Sequence, residues 1–346
     1  MFWILTMNKR LLIIFFLKFL IISCGKEQTL PLKDLINNYT GSTPILSLDN
    51  LNLESQKSFF ANSSDTITIN VNTYIIPLFS NQLLVLKRNK IFLIDSTLGI
   101  QSSFIPKYSS GDYYKGEFFG GHIAKEDFYL FDLENSLKKI NTGNNVISDI
   151  YISNKKTQSD KSNFFDISIC DSGQIIATNQ IMSSIYSELL KTDMVIGRLI
   201  EGNGKILNHF IIPHNEIDSL TWAQFIDYPF CTAYKDNVYI SFVFSKKIYR
   251  FNIDGNFERS FHPNEPSHQN YRGKNQLNRI QIRDSCIYSI FNDDLNTKPK
   301  LIKYNLNFEK KEERELDISP NNNLGYKIYV TKDRILVHGK ELYIWK

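Results

Sequence analysis

Apolar and polar side chains alternate along residues 237–261 in a pattern that predicts three consecutive β-strands. In residues 237–244 the apolar side chains recur at every second position, as one face of a strand requires. Residues 248–253 alternate in the same way, and a turn at Gly255 leads into residues 257–261. Glycine accepts the positive φ angle that a tight hairpin needs. The segment therefore predicts an antiparallel three-stranded meander.

The same short turn followed by an apolar strand recurs along most of the chain. The recurring strands begin near Leu83, Phe128, Ile175, Val238, Ile287 and Ile335. Most intervals are close to 45–50 residues, and internal periods of about 40–50 residues with four strands each are typical of β-propellers. The pattern therefore predicts an all-β fold, a six-bladed β-propeller. A pair of β-sandwiches is the alternative all-β interpretation.

Each repeat divides into four strand-like segments, except the last, which has three. The predicted strands are 74–79, 83–87, 91–95 and 101–105; 122–125, 128–133, 137–141 and 147–152; 165–170, 175–180, 194–200 and 206–212; 230–234, 237–244, 248–253 and 257–261; 279–283, 287–292, 301–305 and 313–318; and 326–331, 335–338 and 342–345. Helical patterns are confined to residues 181–190 and 215–225.

The missing strand of the sixth repeat suggests how the ring closes. Upstream of the first repeat, residues 45–48 and residues 66–71 each offer a spare strand. An N-terminal strand that completes the last blade would close the ring and remove its open edges. We therefore predict that the last blade is closed by one of these two segments.

The N-terminus has the features of a bacterial lipoprotein signal peptide. Lys9 and Arg10 form a charged region, and residues 11–22 are apolar except for Lys18 but too short for a comfortable membrane span, which needs about 20 residues. The stretch ends in Ile-Ile-Ser-Cys-Gly at residues 21–25, which resembles a lipobox, the motif whose cysteine is lipidated. The alternative is an uncleaved signal anchor in which Cys24 is incidental.

This interpretation divides the chain into a signal peptide at residues 1–23, a tether at residues 24–44 and a propeller at residues 45–346. Acyl chains on Cys24 would bind the membrane, since each buried CH₂ contributes about 0.8 kcal/mol and two or more chains anchor a protein stably. We expect a cell-envelope location, as an outer-membrane lipoprotein facing the periplasm or the cell surface.

Charge and cysteine content narrow the possible partners. The full chain has a formal net charge of +4, and removing the signal peptide takes away Lys9, Arg10 and Lys18 without any acidic residue, which leaves +1. A nucleic-acid-binding protein usually has a strongly basic face, so we expect no nucleic-acid partner. The remaining cysteines allow at most one internal disulfide, and their apolar surroundings favour buried free thiols: Cys170, Cys231 and Cys286.

The two faces of the predicted propeller differ in loop length. Turns between the first and second and between the third and fourth strands of each blade share one face, here called the tight-turn face. The other face, called the long-loop face, carries the remaining turns and the links between blades, including the long insertions 106–121, 183–193, 213–229, 262–278 and 293–300. Binding residues often lie on long loops of a rigid scaffold, so we expect binding on the long-loop face.

Aromatic and polar residues suited to recognition occur in these insertions. The candidate binding residues are Tyr113, Tyr114, His122, His214, Trp222, Tyr228, His262, His268, Tyr271 and Arg272. His122 follows two glycines into an inner strand and is the best candidate for a group at the mouth of the channel. The alternatives without a binding function are a structural role for the two glycines and packing of Trp222 against the propeller ring.

Catalytic and metal-binding signatures are not visible. The sequence has no G-x-S-x-G nucleophile elbow, and His262 and His268 lack the ordered spacing of a zinc site. The pairs Asp293-Asp294 and Glu312-Glu313 are predicted to lie in solvated loops, and Asp166 is the main carboxylate of the inner strands. We therefore expect no metal, no cofactor and no catalytic residue.

The lipobox, the six meanders and hairpins such as residues 91–95 and 248–255 resemble the secreted six-bladed propeller lipoproteins of Bacteroidetes. These proteins are TolB-like in fold and include a family known only as a domain of unknown function. The resemblance covers residues 70–346 approximately, and it implies no catalytic motif that transfers to this chain.

The resulting hypothesis is a non-enzymatic, lipid-anchored binding or scaffold module that engages a protein, peptide or glycan through its long-loop face. The alternative is a propeller-type hydrolase or lyase with a site at the channel mouth. A third possibility is a sensor module that partners a membrane receptor.

Overall fold

The computed structural model describes residues 47–346 except for 63–64, 71–72, 79–81, 125–126, 133–135, 153–163, 180–192, 217–228, 243–246, 262–275, 278–279, 293–297, 319–325 and 332. Over these described residues the chain forms 27 β-strands and one short 3₁₀ helix, His214–Glu216. None of the helices in this part of the chain is long and apolar enough to cross a membrane.

Three strands precede the first blade: β1 (Leu53–Lys57), β2 (Phe59–Ala61) and β3 (Thr66–Thr68). Blades one and two contain β4 (Tyr74–Pro77), β5 (Leu83–Lys87), β6 (Lys90–Ile94), β7 (Ile100–Phe104), β8 (Phe118–Ala124), β9 (Asp127–Asp132), β10 (Ser136–Asn141) and β11 (Val146–Ile152). Blade three contains β12 (Phe164–Ile169), β13 (Ile175–Asn179), β14 (Met194–Ile200) and β15 (Ile206–Ile212).

Blade four contains β16 (Pro229–Tyr234), β17 (Asn237–Phe242), β18 (Ile248–Asn252) and β19 (Phe257–Phe261). Blade five contains β20 (Gln276–Leu277), β21 (Gln281–Arg283), β22 (Cys286–Asn292), β23 (Lys300–Asn305) and β24 (Lys310–Glu315). Blade six contains β25 (Lys327–Val330), β26 (Ile335–His338) and β27 (Leu342–Trp345).

Six antiparallel sheets confirm the predicted all-β six-bladed propeller. The meander β17–β18–β19 is formed in blade four as predicted, with Val238 opposite Phe251 and Ile240 opposite Tyr249. All four of these side chains are fully buried. Gly255 has a φ of +88° in the following turn, the left-handed conformation that favours glycine. The alternation of apolar residues and the glycine in the turn therefore both favour the observed pairing of these strands.

The strand that joins the last blade differs from both predicted segments. β1 pairs antiparallel with β27, and β3 pairs instead with β2 in a separate two-stranded sheet. β1 was missed because its sequence, LESQK, is polar and its side chains are mostly exposed. Its apolar anchors, Leu48 and Leu51, lie just before it and are buried in a cluster with Tyr343 and Trp345.

The outer strand of blade five also corrects a sequence prediction. Glu312 and Glu313 lie in β24, which begins three residues before the predicted 313–318, and not in a solvated loop. The Glu312 carboxylate accepts hydrogen bonds from Lys303 Nζ and from the backbone N–H of Leu48, both at 2.6 Å. Burial disfavours its charged form, but these bonds outweigh burial and lower the pKa of Glu312.

The apolar core lies between neighbouring blades. One cluster joins blades three and four through Ile196, Phe210, Ile240 and Phe251, and similar clusters join blades two and three, four and five, five and six, and six and one. Each inter-blade layer buries the faces of two sheets, so the blades stabilise one another. Cys170 and Cys231 are buried free thiols as predicted, and Cys286 is a half-buried free thiol.

Candidate functional site

The inner strands of all six blades line a central cavity of about 350 Å³. The lining residues come mainly from the C-terminal halves of these strands, next to the turns of the tight-turn face. They are Tyr74, Ile76, Pro77, Leu78, Gly121, His122, Ile123, Ser168, Ile169, Cys231, Thr232, Ala233, Ile280, Gln281, Ile282, Arg283, Tyr329, Val330 and Thr331. The cavity therefore lies toward the face opposite to the one for which binding was predicted.

Aromatic rings line up across the opposite ends of three inner strands. The ring centroids of Phe119 and Phe165 are 6.3 Å apart, and those of Phe165 and Phe230 are 5.2 Å apart. These residues lie near the N-terminal ends of β8, β12 and β16. The end of the channel toward the long-loop face is therefore apolar along blades two to four.

Asp166, on the inner strand β12, joins three blades. Its carboxyl group accepts hydrogen bonds from the Tyr74 hydroxyl of blade one and the Cys231 backbone N–H of blade four, both at 3.1 Å. Asp166 is 1% exposed. Since a buried acceptor of this kind satisfies two buried donors, the inner carboxylate singled out from the sequence has a structural role.

The two glycines before His122 allow this arrangement. A Cβ atom at Gly120 would collide with the Phe131 ring and would lie 2.9 Å from Cε2 of Tyr74, so glycine leaves room for both rings and lets Tyr74 reach Asp166 across blade two. A Cβ at Gly121 would lie 2.8 Å from the backbone oxygen of Tyr129. Both distances are too short for a real side chain, which supports the structural interpretation of the glycines.

Polar residues of the cavity wall bridge neighbouring blades. The Ser168 hydroxyl accepts a hydrogen bond from the backbone N–H of Ala233 at 3.1 Å, and the Thr232 hydroxyl donates to the carbonyl of Ile280 at 3.0 Å. Because these side chains satisfy backbone groups of the next inner strand, they set the shape of the cavity.

Two ionisable nitrogen-bearing side chains, His122 and Arg283, also line the cavity. The His122 prediction thus coincides with a cavity position, whereas Arg283 was missed by the sequence reasoning. The Arg283 Nη1 donates to the carbonyl of Val330 at 3.2 Å, and its Nε lies 3.4 Å from the Asp284 carboxylate. The sequence signal that could have indicated Arg283 is its position at the end of an inner strand, immediately before the tight turn at Asp284.

The link between blades one and two contains the first two candidate binding residues. Tyr113 is 44% exposed, with Lys107 Nζ 4.3 Å from its ring centroid. The backbone N–H of Ile147 donates to the carbonyl of Lys107 at 2.8 Å, which packs this part of the link against the start of β11. Tyr113 is therefore displayed at the outer margin of the ring on a segment with defined contacts.

Tyr114 corrects the expectation that both tyrosines are recognition handles, because it is only 3% exposed. Its hydroxyl donates to Asp132 at 2.9 Å, and its ring stacks on Phe118 with centroids 4.5 Å apart. Lys138 lies 3.3 Å from the same carboxylate. Burial alone would lower the pKa of Lys138, but Asp149 and Asp132 outweigh burial and raise it. Tyr114 thus fastens the link to a buried ionic network.

His214 lies at the start of the short 3₁₀ helix in the link between blades three and four and is exposed. The other predicted binding residues and the lipidation site fall outside the described residues: Trp222, Tyr228, His262, His268, Tyr271, Arg272 and Cys24. Within the described ranges, no group of three or more His, Cys, Asp and Glu side chains is arranged to hold a metal ion.

Comparison with known proteins identifies the fold and no family. No family profile and no curated protein matches the sequence. A DUF4221 family member from Bacteroides vulgatus has a similar structure, with 11% sequence identity and a TM-score of 0.55. The match covers 86% of this chain and 98% of that chain. A protein of unknown function from Bacteroides thetaiotaomicron is similar as well, with 12% sequence identity and a TM-score of 0.55. That match covers 86% of this chain and 75% of that chain.

The WD40 β-propeller domain of Doa1 is similar as well, at 10% identity and a TM-score of 0.52, with coverage of 86% of this chain and 97% of that domain. Identities this low show the shared fold alone. This chain is therefore an all-β six-bladed propeller with structural neighbours that include Bacteroides proteins of unknown function.

Proposed function

We propose that this chain is a lipid-anchored binding or scaffold propeller of the bacterial cell envelope. In this proposal Cys24 carries the anchor, β1 closes the ring by completing blade six, and the long-loop face engages a protein, peptide or glycan. The single observation that carries the proposal is the ordered link between blades one and two, which presents an exposed aromatic residue on a rigid support.

That link is organised before any partner arrives. Backbone hydrogen bonds of 2.8 Å run from the N–H of Tyr114 to Pro106 and from the N–H of Tyr108 to Asp112. Tyr114 and Asp132 then fix the link to blade two. A backbone held in this way loses little conformational freedom on binding, which favours recognition. Tyr113 supplies the amphipathic aromatic surface that is enriched in recognition sites.

The alternative of a hydrolase or lyase at the channel mouth has less support. None of the cavity-lining residues in the described chain is an aspartate or glutamate. General acid–base catalysis by a carboxylate pair would therefore need groups that are not among these lining residues.

Replacing Tyr113 with alanine is expected to weaken partner capture at least fivefold without changing the thermal unfolding midpoint. The Tyr113 ring is 44% exposed and has Lys107 Nζ over its face, so its loss removes mainly surface that is available for recognition. Capture from envelope extracts by the immobilised mature chain measures the effect. Leu207→Ala, on an outer strand with a similar 40% exposure, is the matched control. Trp222→Ala and Tyr271→Ala are expected to act like Tyr113→Ala, and unchanged capture by all three variants would refute the assignment.

Replacing Cys24 with serine is expected to move the protein from the membrane fraction to the aqueous fraction. Without the thiol no acyl chain can be attached, and the membrane affinity supplied by two or more chains is lost. Fractionation of cells that incorporate labelled palmitate measures both location and lipidation. Cys286→Ser is the control and should remain labelled and membrane-bound. A Cys24→Ser protein that stays in the membrane fraction would contradict the proposed anchor.

A further inference from the structure

The central cavity has chemistry that the proposed binding face does not use. We propose that it is a second binding site, which takes a small organic carboxylate with its apolar body in the channel and its acid group at Arg283 and His122. This site lies toward the tight-turn face, so it is distinct from the long-loop face.

The cavity has a size and a support suited to a small molecule. Its volume of about 350 Å³ falls within the range of about 300–1,000 Å³ typical of ligand sites. Its wall is built from inner strands that are joined by side-chain hydrogen bonds, including those of Ser168, Thr232 and Gln281. A ligand would therefore enter a largely preformed site.

Much of the wall is apolar. Ile76, Leu78, Ile123, Ile282 and Val330 contribute from four of the six blades. Burial of apolar ligand surface against such side chains is favoured by the hydrophobic effect. The wall therefore favours an apolar ligand body over a fully polar one such as a sugar or an inorganic ion.

The charged groups of the wall favour an acid. Among the lining residues that the structure describes, Arg283 is a permanent cation, His122 is the only other basic side chain, and none is a carboxylate. The Asp284 carboxylate lies 3.4 Å from Arg283 Nε. The Asp284 side chain is 36% exposed and that of Arg283 is 15% exposed, so water screens the negative charge of Asp284 more than the positive charge of Arg283. A fixed positive charge in a partly desolvated cavity attracts an anion more strongly than it would in water.

The position of the guanidinium is set by its neighbours. Arg283 Nη1 donates to the carbonyl of Val330, and the backbone N–H of Val330 donates to Gln281 Oε1 at 2.9 Å. Two side chains of blade five therefore bond to the backbone of Val330, one to its carbonyl and the other to its N–H. A guanidinium held in this way offers a ligand carboxylate a positive charge at a fixed position, and arginine is well suited to such ion pairs.

Calorimetric titration with 4-phenylbutyrate and with the neutral 4-phenylbutan-1-ol tests the site. We expect saturable one-to-one binding of the carboxylate, with the alcohol at least tenfold weaker. Arg283→Gln should weaken binding of 4-phenylbutyrate at least tenfold, and Ile123→Trp, which narrows the cavity without changing its charge, should abolish it. Arg259→Gln, on the outer strand β19, is the matched control and should bind like the wild type.

Binding of the alcohol as tight as that of the acid, unchanged binding by Arg283→Gln or Ile123→Trp, or no saturable binding by the wild type would overturn the proposal. If Arg283→Gln does not fold, Arg283→Lys is titrated in its place. Because lysine retains the positive charge, this variant should bind 4-phenylbutyrate more tightly than Ile123→Trp does. Arg283→Gln should leave Tyr113-dependent partner capture unchanged, so failure of this site and failure of the binding face are distinguishable.

Discussion

A truncated chain that begins at Ser58 is expected to be about 5 kcal/mol less stable than one that begins at Ser47. The shorter chain loses β1 together with Leu48 and Leu51, which are 0% and 2% exposed. Burial of each leucine contributes about 1.5–3 kcal/mol, and each lost hydrogen bond between β1 and β27 about 1 kcal/mol. Chemical denaturation of the two chains measures the difference.

This loss approaches the whole stability of an ordinary domain, which is about 5–15 kcal/mol. The truncation also opens the edge of β27, so the shorter chain is expected to self-associate. Leu48→Ala in the longer chain is the matched control, because it keeps β1 and should lose less than the truncation, about 2–3 kcal/mol, without associating. Equal denaturation midpoints for the two truncated chains would show that β1 does not close the ring.

Replacing Asp166 with alanine is expected to lower the free energy of unfolding by about 3 kcal/mol or more. The Tyr74 hydroxyl and the Cys231 N–H would both lose a buried acceptor, and each unsatisfied donor costs about 1–3 kcal/mol. Thermal and denaturant unfolding of the purified variant provide the measurement.

Two further variants separate the contributions at this position. Asp166→Asn retains one acceptor oxygen and should lose less stability than Asp166→Ala. Tyr74→Phe removes a single hydrogen bond and should cost about 1 kcal/mol. Surface substitutions usually change the free energy of unfolding by no more than about 0.5 kcal/mol. A change that small for Asp166→Ala would contradict the proposed role of Asp166 in connecting the blades.

The strands of this protein were largely predictable because local sequence determines them. β17 and β26 combine apolar runs with flanking turns, and β5, β14 and β27 begin and end where the period-two pattern places them. β1 was not predictable in this way. It is an outer strand with polar, exposed side chains, and the contact that positions it joins residues nearly 300 positions apart in the sequence.

The candidate site was less predictable because its contacts are non-local. Tyr113 and Tyr114 are adjacent in sequence, yet one is exposed and the other is bonded to Asp132, which lies beyond the following strand. The Asp166 partners are 92 and 65 positions away. Sequence indicated that His122 enters the channel wall, but only the assembled ring shows that His122 and Arg283 line one cavity.

The proposed binding face can be tested most directly by photo-crosslinking in living cells. The photoreactive residue benzoyl-phenylalanine would replace Tyr113 or Trp222, which belong to insertions that the sequence assigns to the long-loop face, and Ser172 or Asn203 in turns of the tight-turn face. We predict discrete high-mass adducts from positions 113 and 222 and none from positions 172 and 203. Digestion of the adduct with protease or glycosidase would distinguish a polypeptide from a glycan partner. Adducts from the tight-turn positions alone would contradict the proposal that this propeller binds its partner through the long-loop face.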